Sequence, residues 1–469
     1  MFKANGVNSP LKSLIFTGIM SQDTLTRRIT LLQATAINST EMVGIGPFVV
    51  LNGVAAIMQG PWFLYAWLAG ALLSFVDAMI WSELGATFPE AGGSYNFLKA
   101  GFGEKGGKLM SFLFTWQVLI LAPLVMASAA IGFSQYATYL LPAMSPLKSA
   151  IIQRAISGTV VILVVILLYR KIETIGKISV AMWVGVLGTM AWVIGCGIAH
   201  GNFLEPIRHM NDDLVLNKGF ATLLGYASVK TIYCYLGYYN VCHLGSEIQK
   251  PAVNIPRSMF ISIAIIALLY FCMNVSVASV LPLGRIQASD YVVSEFTEHL
   301  LGPTAGIIIT VLILWVAFAS VFSATLGYSR VPYAAAKDGA FFKMFARLHP
   351  TKHFPHVSLL FLGGVGFVFS LLFKMKDVIT AILAMRILVQ FIAQGVGLLL
   401  LHKRKGRSFF KWHMPLYPLP AILAILIWAA IFYSTGVQFM LAGLIATGSG
   451  VIVYLAKNYY QRNTTYNTL

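Results

Sequence analysis

The sequence predicts an all-α integral membrane protein of about 12 transmembrane helices, and three observations carry that expectation. The 469-residue chain is 58% hydrophobic and only 10% charged, where a soluble domain has about 45–50% apolar and roughly 25% charged residues. Its mean hydropathy is +0.77, and apolar runs long enough for a bilayer core recur along its whole length. Lys and Arg gather on alternate connections between these runs: Arg27 and Arg28, Arg170 and Lys171, the Lys337–Lys352 stretch and the Lys403–Lys411 cluster, with Lys3 ahead of the first run. Positive charge accumulates on cytoplasmic loops, so both termini are expected in the cytoplasm, the helix number is expected to be even, and the compartment is a plasma or inner membrane. The net charge of +17 is then an insertion signal facing anionic membrane lipid. A soluble enzyme and a nucleic-acid partner are both excluded.

In chain order the apolar segments run Ile29–Ile57, Trp62–Thr87, Leu109–Leu141, Ile151–Tyr169, Ile178–Ala199, Gly219–Ser246, Met259–Leu281, Ala305–Ala335, Val357–Phe373, Val378–Leu401, Ala421–Thr435 and Val437–Ala456. No linker is long enough to divide domains, so 1–469 is expected to be one transmembrane unit. The longer polar connections are Gly201–Lys218 and Pro282–Gly302, expected outside, and Ala336–Pro355, expected inside. The last interleaves Lys and Arg with apolar residues, the pattern of an interfacial helix. The first 28 residues hold no long apolar run ending at a small-residue cleavage site, so no signal peptide is expected. Cys196, Cys234, Cys242 and Cys272 all fall in apolar segments; their spacing fits no zinc site, and they read as small core residues.

Two segments carry helix-breaking residues in their interior. The first contains Val43-Gly44-Ile45-Gly46-Pro47-Phe48, and the sixth contains Tyr233-Cys234-Tyr235-Leu236-Gly237-Tyr238-Tyr239-Asn240. Glycine adds backbone entropy and proline removes a donor, so both disfavour a continuous helix. Breaks five segments apart occupy corresponding positions if 29–199 and 219–401 are inverted repeats of five helices, with 415–457 as helices 11 and 12. Paired broken helices mark a transporter's binding site; the alternative is glycine used only for close helix packing. Unwound backbone at membrane depth is tolerated where it lines a cavity. There, half-helix N-termini attract an anion and freed carbonyls accept from a cation. A zwitterionic α-amino acid, or a related amine, matches both.

The residues flanking these breaks resemble the amino acid–polyamine–organocation permeases, whose fold is similar to that of the leucine transporter. Val43–Phe48 resembles the family's first-helix I-G-S-G-I-F, with Ile45 and Pro47 as departures. Ser82-Glu83-Leu84 and Pro89-Glu90-Ala91-Gly92-Gly93-Ser94-Tyr95 resemble its E-L…P-x-x-G-G-x-Y. Glu247, Lys250-Pro251 and Asn254-Ile255-Pro256-Arg257 resemble the stretch after helix six, and Arg330, Tyr333 and Lys337-Asp338-Gly339 the run after helix eight. The resemblance implies a secondary active permease working by alternating access. It implies a carboxylate site on the N–H groups around Gly44, Ile45 and Gly46, an amine site on carbonyls near Tyr233 and Leu236 beside Gly237, and Tyr233 as the aromatic gate. Exchangers of the heteromeric type carry a similar G-W-N; here Gly237-Tyr238-Tyr239-Asn240 sets Asn240 one place off.

Four ionisable residues fall inside apolar segments: Glu41, Asp77, Lys230 and Arg386. Such residues are costly in a bilayer and are functional candidates. Glu41, three residues before Gly44, reads as a proton carrier or as a recogniser of a cationic side chain, against a structural partner for a buried base. Lys230 and Arg386 read as an outer vestibule pair that attracts an anion or forms a gate, against one ion pair each with Glu41 or Asp77. Asp77 reads as structural, and His243 as a hydrogen-bonded packing residue. Some proton-coupled relatives place a lysine in helix five; here Val184 falls near that position, with Lys177 two turns earlier. Ser320 and Ser323 are candidates to line a sodium site, or else to bond within the bundle. A proton or sodium is thus the possible coupling ion, with no cofactor and no bound metal expected. Two other classes stay in view: an amino-acid sensor that binds without transport, and an intramembrane enzyme, for which HExxH, Walker A and GxSxG motifs are all missing.

Overall fold

Thr30 opens the first span with a reciprocal cap: its hydroxyl accepts the N–H of Gln33 at 3.3 Å, and Gln33 Oε1 accepts the N–H of Thr30 at 3.0 Å. The computed structural model describes residues 25–141, 146–212 and 214–466. Lys3 and most of the stretch read for a leader, 1–24, lie outside the described residues. From the Thr30 cap runs α1 (Leu31–Met42), which ends at the first break; α2 (Gly46–Met58) resumes the span with Pro47 in its first turn, where a missing N–H costs nothing. The two halves meet at 44°.

The chain continues through α3 (Leu64–Thr87), the short α4 (Ser94–Gly101), the long α5 (Gly103–Ala137), α6 (Pro146–Leu168) and α7 (Ile172–His200). After the single turn α8 (Glu205–Arg208) comes α9 (Lys218–Tyr235), broken at Leu236–Tyr239 before the turn α10 (Asn240–His243). The remainder is α11 (Pro251–Ala278), α12 (Leu283–Ala288), α13 (Val292–Leu301), α14 (Pro303–Tyr328), α15 (Arg330–Lys337), α16 (His356–Leu372), α17 (Met375–Arg386), α18 (Gln394–Lys405), α19 (Leu419–Ser434) and α20 (Val437–Tyr466). Between α17 and α18 the helix widens to π winding over Ile387–Ala393. Among the described residues eight helices are long and apolar enough to cross a membrane, the bent pair α1–α2 adds a ninth, and α16 and α19 are shorter apolar helices. With α9 and its broken continuation these account for the expected apolar segments. The described residues form no strand, only isolated bridges at Ile29–Ile248 and Ala91–Leu244.

The broken spans are innermost. α1 packs on α7, α11 and α14, while α9 packs on α2 and α3; α5 and α14 close the remaining side. α6, α7 and α20 turn large apolar side chains outward, including Ile166, Ile198 and Ile452. Such a surface is stable against lipid and not against water.

One expectation fails here. Ala336–Pro355 forms no interfacial helix: beyond α15 it contains only a 3-10 turn, Lys343–Ala346. Gly339 takes a positive φ of 74° and stops the helix, while Phe341, Phe345, Leu348 and Phe354 fold inward and bury. Most of the apolar residues taken for a membrane-facing stripe therefore join the main core, and only Phe342 and Met344 stay exposed.

Three of the stretches that carry the family resemblance meet at the basic end of the bundle, through Tyr95, Glu247, Arg330 and Asp338. Arg330 Nε and Nη2 each lie 2.9 Å from a carboxylate oxygen of Glu247, with both side chains buried. The third nitrogen of the fork donates to Leu326 O at 3.1 Å and Ser329 Oγ at 2.9 Å. The Glu247 carbonyl in turn accepts the N–H groups of Arg28 and Ile29, both at 2.9 Å. Tyr95 Oη donates to Asp338 at 2.6 Å, and Lys99 pairs with the same carboxylate. Burial pushes the Tyr95 phenol up, and Asp338 adds to it, so this hydroxyl stays a donor. Arg330→Met leaves the Glu247 carboxylate buried without its partner, which should cost about 3–5 kcal/mol. We expect a lower unfolding temperature in detergent, with much of the loss recovered when Glu247→Leu removes the orphaned charge as well.

Candidate functional site

Both breaks exist and face one another. At the first, the N–H groups of Ile45 and Gly46 have no protein acceptor among the described residues, while Gly44 folds its own N–H back onto Met42 O at 3.0 Å. At the second, Leu236 turns extended and Gly237 adopts φ +121°, a backbone that a side chain would strain. A Cβ on Gly237 would also stand 2.7 Å from Glu41 Cγ, so only glycine lets the breaks come this close. The N-terminal end of α2 and the C-terminal ends of α1 and α9 thus meet in one place, a positive dipole end beside two negative ones.

Side chains from neighbouring helices hold the interrupted backbone together. The Tyr270 hydroxyl on α11 lies 2.6 Å from Met42 O and 3.1 Å from Cys234 O, one carbonyl from each break. Asn38 Oδ1 accepts the N–H of Val241 at 2.9 Å, joining α1 to α10. From α14, Ser320 Oγ donates to Glu41 O at 3.2 Å and Ser323 Oγ donates to Ile37 O at 2.6 Å. The two serines named for sodium therefore spend their protons on carbonyls of the first span. Neither Tyr270 nor Asn38 was singled out from the sequence. A signal existed: each is a polar group inside an apolar run, and Asn38 stands three residues before Glu41 on the same helix face.

A cavity with about 50 Å³ of room for the centres of water-sized molecules lies between the breaks. Glu41, Gly44, Ile45, Gly46, Tyr233, Leu236, Ser320 and Arg386 all line it, so most of the expected site residues converge. Val125 and Ala129 of α5, Ala324 of α14 and Ile382 of α17 supply an apolar wall that sequence reading missed. The Tyr233 ring covers Gly46, and its hydroxyl lies 3.1 Å from Ser128 Oγ. Gly237, Asn240 and Ser323 stand one layer behind, with the Asn240 amide donating to Ser323 O at 2.8 Å.

The ionisable residues part company. Arg386 is 2% exposed and lines the central cavity rather than an outer vestibule. It sits at the start of the π-wound stretch and donates to Tyr239 Oη, with the ring of Tyr328 5.4 Å from its guanidinium carbon. Lys230 lies instead against Gly53 of α2. Asp77 serves neither base: it accepts from Trp81 Nε1 at 2.8 Å, Trp428 Nε1 at 3.0 Å and the Tyr238 hydroxyl. These neutral donors tie α3 to α19 and to the second break, in keeping with its structural reading. Glu41 and Arg386 share the cavity without a hydrogen bond between them, and Glu41 Oε2 and Arg386 Nε are both buried without a hydrogen-bond partner. His243 packs among the rings of Trp81, Phe114 and Tyr328. Val184 is 61% exposed and faces away from the cavity. Among the described residues no three His, Cys, Asp or Glu side chains cluster as they would around a metal.

A polytopic membrane protein whose two broken spans meet at a buried, mixed-charge cavity has the construction of a secondary transporter. The chain belongs to the amino acid permease family, whose model matches residues 29–456. It is 24% identical to the serine/threonine exchanger SteT of Bacillus subtilis, covering 92% of this chain and 95% of that one. It is 26% identical to the human large neutral amino acids transporter small subunit 2, covering 93% and 81%. With the branched-chain amino acid permease BcaP of Bacillus subtilis it shares 22% identity over 92% and 93%. The family is one of transporters, so the enzyme reading falls away.

Tyr270→Phe removes the one hydroxyl that serves both breaks and strands two buried carbonyls, which should cost about 1–3 kcal/mol. The expected result is a lower unfolding temperature without any change in the cavity lining. An unchanged temperature would show that the breaks need no staple from α11.

Proposed function

We propose that this permease carries small neutral amino acids by alternating access. The observation behind the proposal is that both breaks line one cavity, with Gly44, Ile45 and Gly46 on one side and Tyr233 and Leu236 on the other. The unpaired N–H groups of Ile45 and Gly46 suit the carboxylate, and the carbonyl end of α9 at Tyr233–Leu236 suits the ammonium. The side chain would then meet the apolar wall of Val125, Ala129, Ala324 and Ile382. Serine, threonine and alanine are the first candidates, by the chain's similarity to a serine/threonine exchanger over 92% of its length. Tyr233 closes the cavity as the gate. The halves 29–199 and 219–401 act as inverted repeats rocking around the fixed site, with both termini in the cytoplasm of a plasma or inner membrane.

Glu41 is assigned as the proton-linked group, coupling uptake to protons or tuning exchange. It faces Arg386 of α17, Ser320 of α14 and Tyr233 and Cys234 of α9 across the cavity, with Gly237 at its back. Of these groups only Arg386 carries a permanent charge, so the charge on the carboxylate decides the balance of the site.

Uptake into proteoliposomes tests the reading. Labelled serine, threonine and alanine should accumulate saturably, and Gly46→Leu, whose side chain fills the cavity beneath Tyr233, should cut uptake at least about tenfold. Binding of serine without flux would make the protein a sensor; uptake indifferent to Gly46→Leu would remove the site. Glu41→Gln should flatten the dependence of uptake on external pH, and exchanging sodium for choline should leave uptake unchanged. A strict sodium requirement would move the coupling role to Ser320 and Ser323.

A further inference from the structure

A second and larger cavity, about 590 Å³, opens at the surface where α6 ends and α7 begins, at the basic end of the bundle. Its polar wall carries Arg170, Lys171 and Lys352 with the Thr174 hydroxyl, and its apolar wall carries Ile166 and Leu360. Lys352 reaches it from the connection before α16. Its ammonium donates to Tyr169 O at 2.8 Å and lies 4.6 Å from the Tyr169 ring centroid, which pins that connection over the α6–α7 corner. Arg170 and Lys171 are exposed. Glu173, two residues after Lys171 in the chain, pairs with Arg28 at 3.3 Å. The cavity therefore holds three cationic side chains and no acidic one among its lining residues.

What distinguishes this cavity from a solvated basic patch is the surface leading into it. Ile162, Leu163 and Ile166 lie along α6 toward the cavity, each about half exposed, and Leu360 matches them from α16. These residues belong to the belt that meets acyl chains. A ligand that fits must present negative charge at the polar wall and continue as hydrocarbon down the apolar one. A soluble anion satisfies the first requirement only.

We propose that this cavity is a binding site for one anionic phospholipid, its phosphate held by Arg170, Lys171 and Lys352 and its acyl chains laid on α6 and α16. Basic pockets between membrane helices recognise headgroups through the same combination of charge and position. The bound lipid would tie the α6–α7 corner to the connection between α15 and α16, two parts of the chain now joined there by Lys352 alone among these cations.

The full-length protein, purified in detergent and incubated with equimolar phosphatidylglycerol and phosphatidylcholine of identical chains, should retain one phosphatidylglycerol per chain in native mass spectrometry. Arg170→Gln with Lys171→Gln, both at exposed positions, should lower that retention about tenfold, while Arg170→Lys with Lys171→Arg should keep it. Three outcomes would overturn the proposal: undiminished retention by the double glutamine variant, equal loss from a control variant Lys403→Gln with Lys411→Gln, or displacement of the lipid by millimolar inorganic phosphate or glycerol phosphate. The first removes the site, the second reduces it to diffuse surface charge, and the third makes the ligand a soluble anion.

Discussion

A peptide group buried away from water must find a partner, and inside a bilayer a helix satisfies that demand by itself. This protein gives up that security twice, in the same plane, and the rest of its interior is arranged around the consequence. The carbonyls released at Met42 and Cys234 share one tyrosine hydroxyl, and those of Ile37 and Glu41 each receive a serine from α14. What is left without an acceptor among the described residues, the N–H groups of Ile45 and Gly46, belongs to residues that line the cavity. The backbone groups at the breaks are thus sorted by whether a neighbouring side chain reaches them.

The basic end of the bundle solves a different problem. Loops between membrane helices need anchors, and here charge supplies several of them beside the buried phenylalanines of Ala336–Pro355. The Glu247–Arg330 pair ties the segment after the second break to the junction of α14 and α15, and Glu247's carbonyl gathers the start of the first span. Asp338 draws α4 onto α15 through Tyr95 and Lys99. Several residues quoted for the family resemblance, Tyr95, Glu247, Arg330 and Asp338 among them, contribute to one of these contacts, and Val43–Phe48 forms a break. The sequence pattern is therefore a record of how the two broken spans are anchored, which explains why it identifies the family and is silent on the substrate.

The cavity's shape and charge come from scattered residues. Val125, Ala129, Ala324 and Ile382 are ordinary apolar residues at unremarkable positions in their helices; no local feature separates them from neighbours that face lipid. Arg386 was conspicuous as a charge in an apolar run, but its depth depends on where α17 passes into π winding. The fate of Asp77 was equally invisible, because its partners Trp428 and Tyr238 lie on α19 and beside α10. The connection Ala336–Pro355 misled for a related reason: alternating basic and apolar residues fit an interfacial helix and a folded loop alike, and only tertiary contacts of Phe341 and Phe354 separate the two.

The chain's own residues determined the number and order of the spans, the two places where they break and the end of the bundle where positive charge collects. Each of these follows from local chemistry: hydrocarbon thickness sets segment length, and glycine and proline interrupt a helix wherever they stand. The tertiary structure alone decided that Arg386 shares a cavity with Glu41, that Lys230 and Asp77 do not, that Tyr270 staples both breaks, and how large a solute the enclosed space admits. Those outcomes depend on which faces of α5, α11, α14 and α17 turn inward, and a helix in an apolar medium has no hydrophobic stripe to announce that choice.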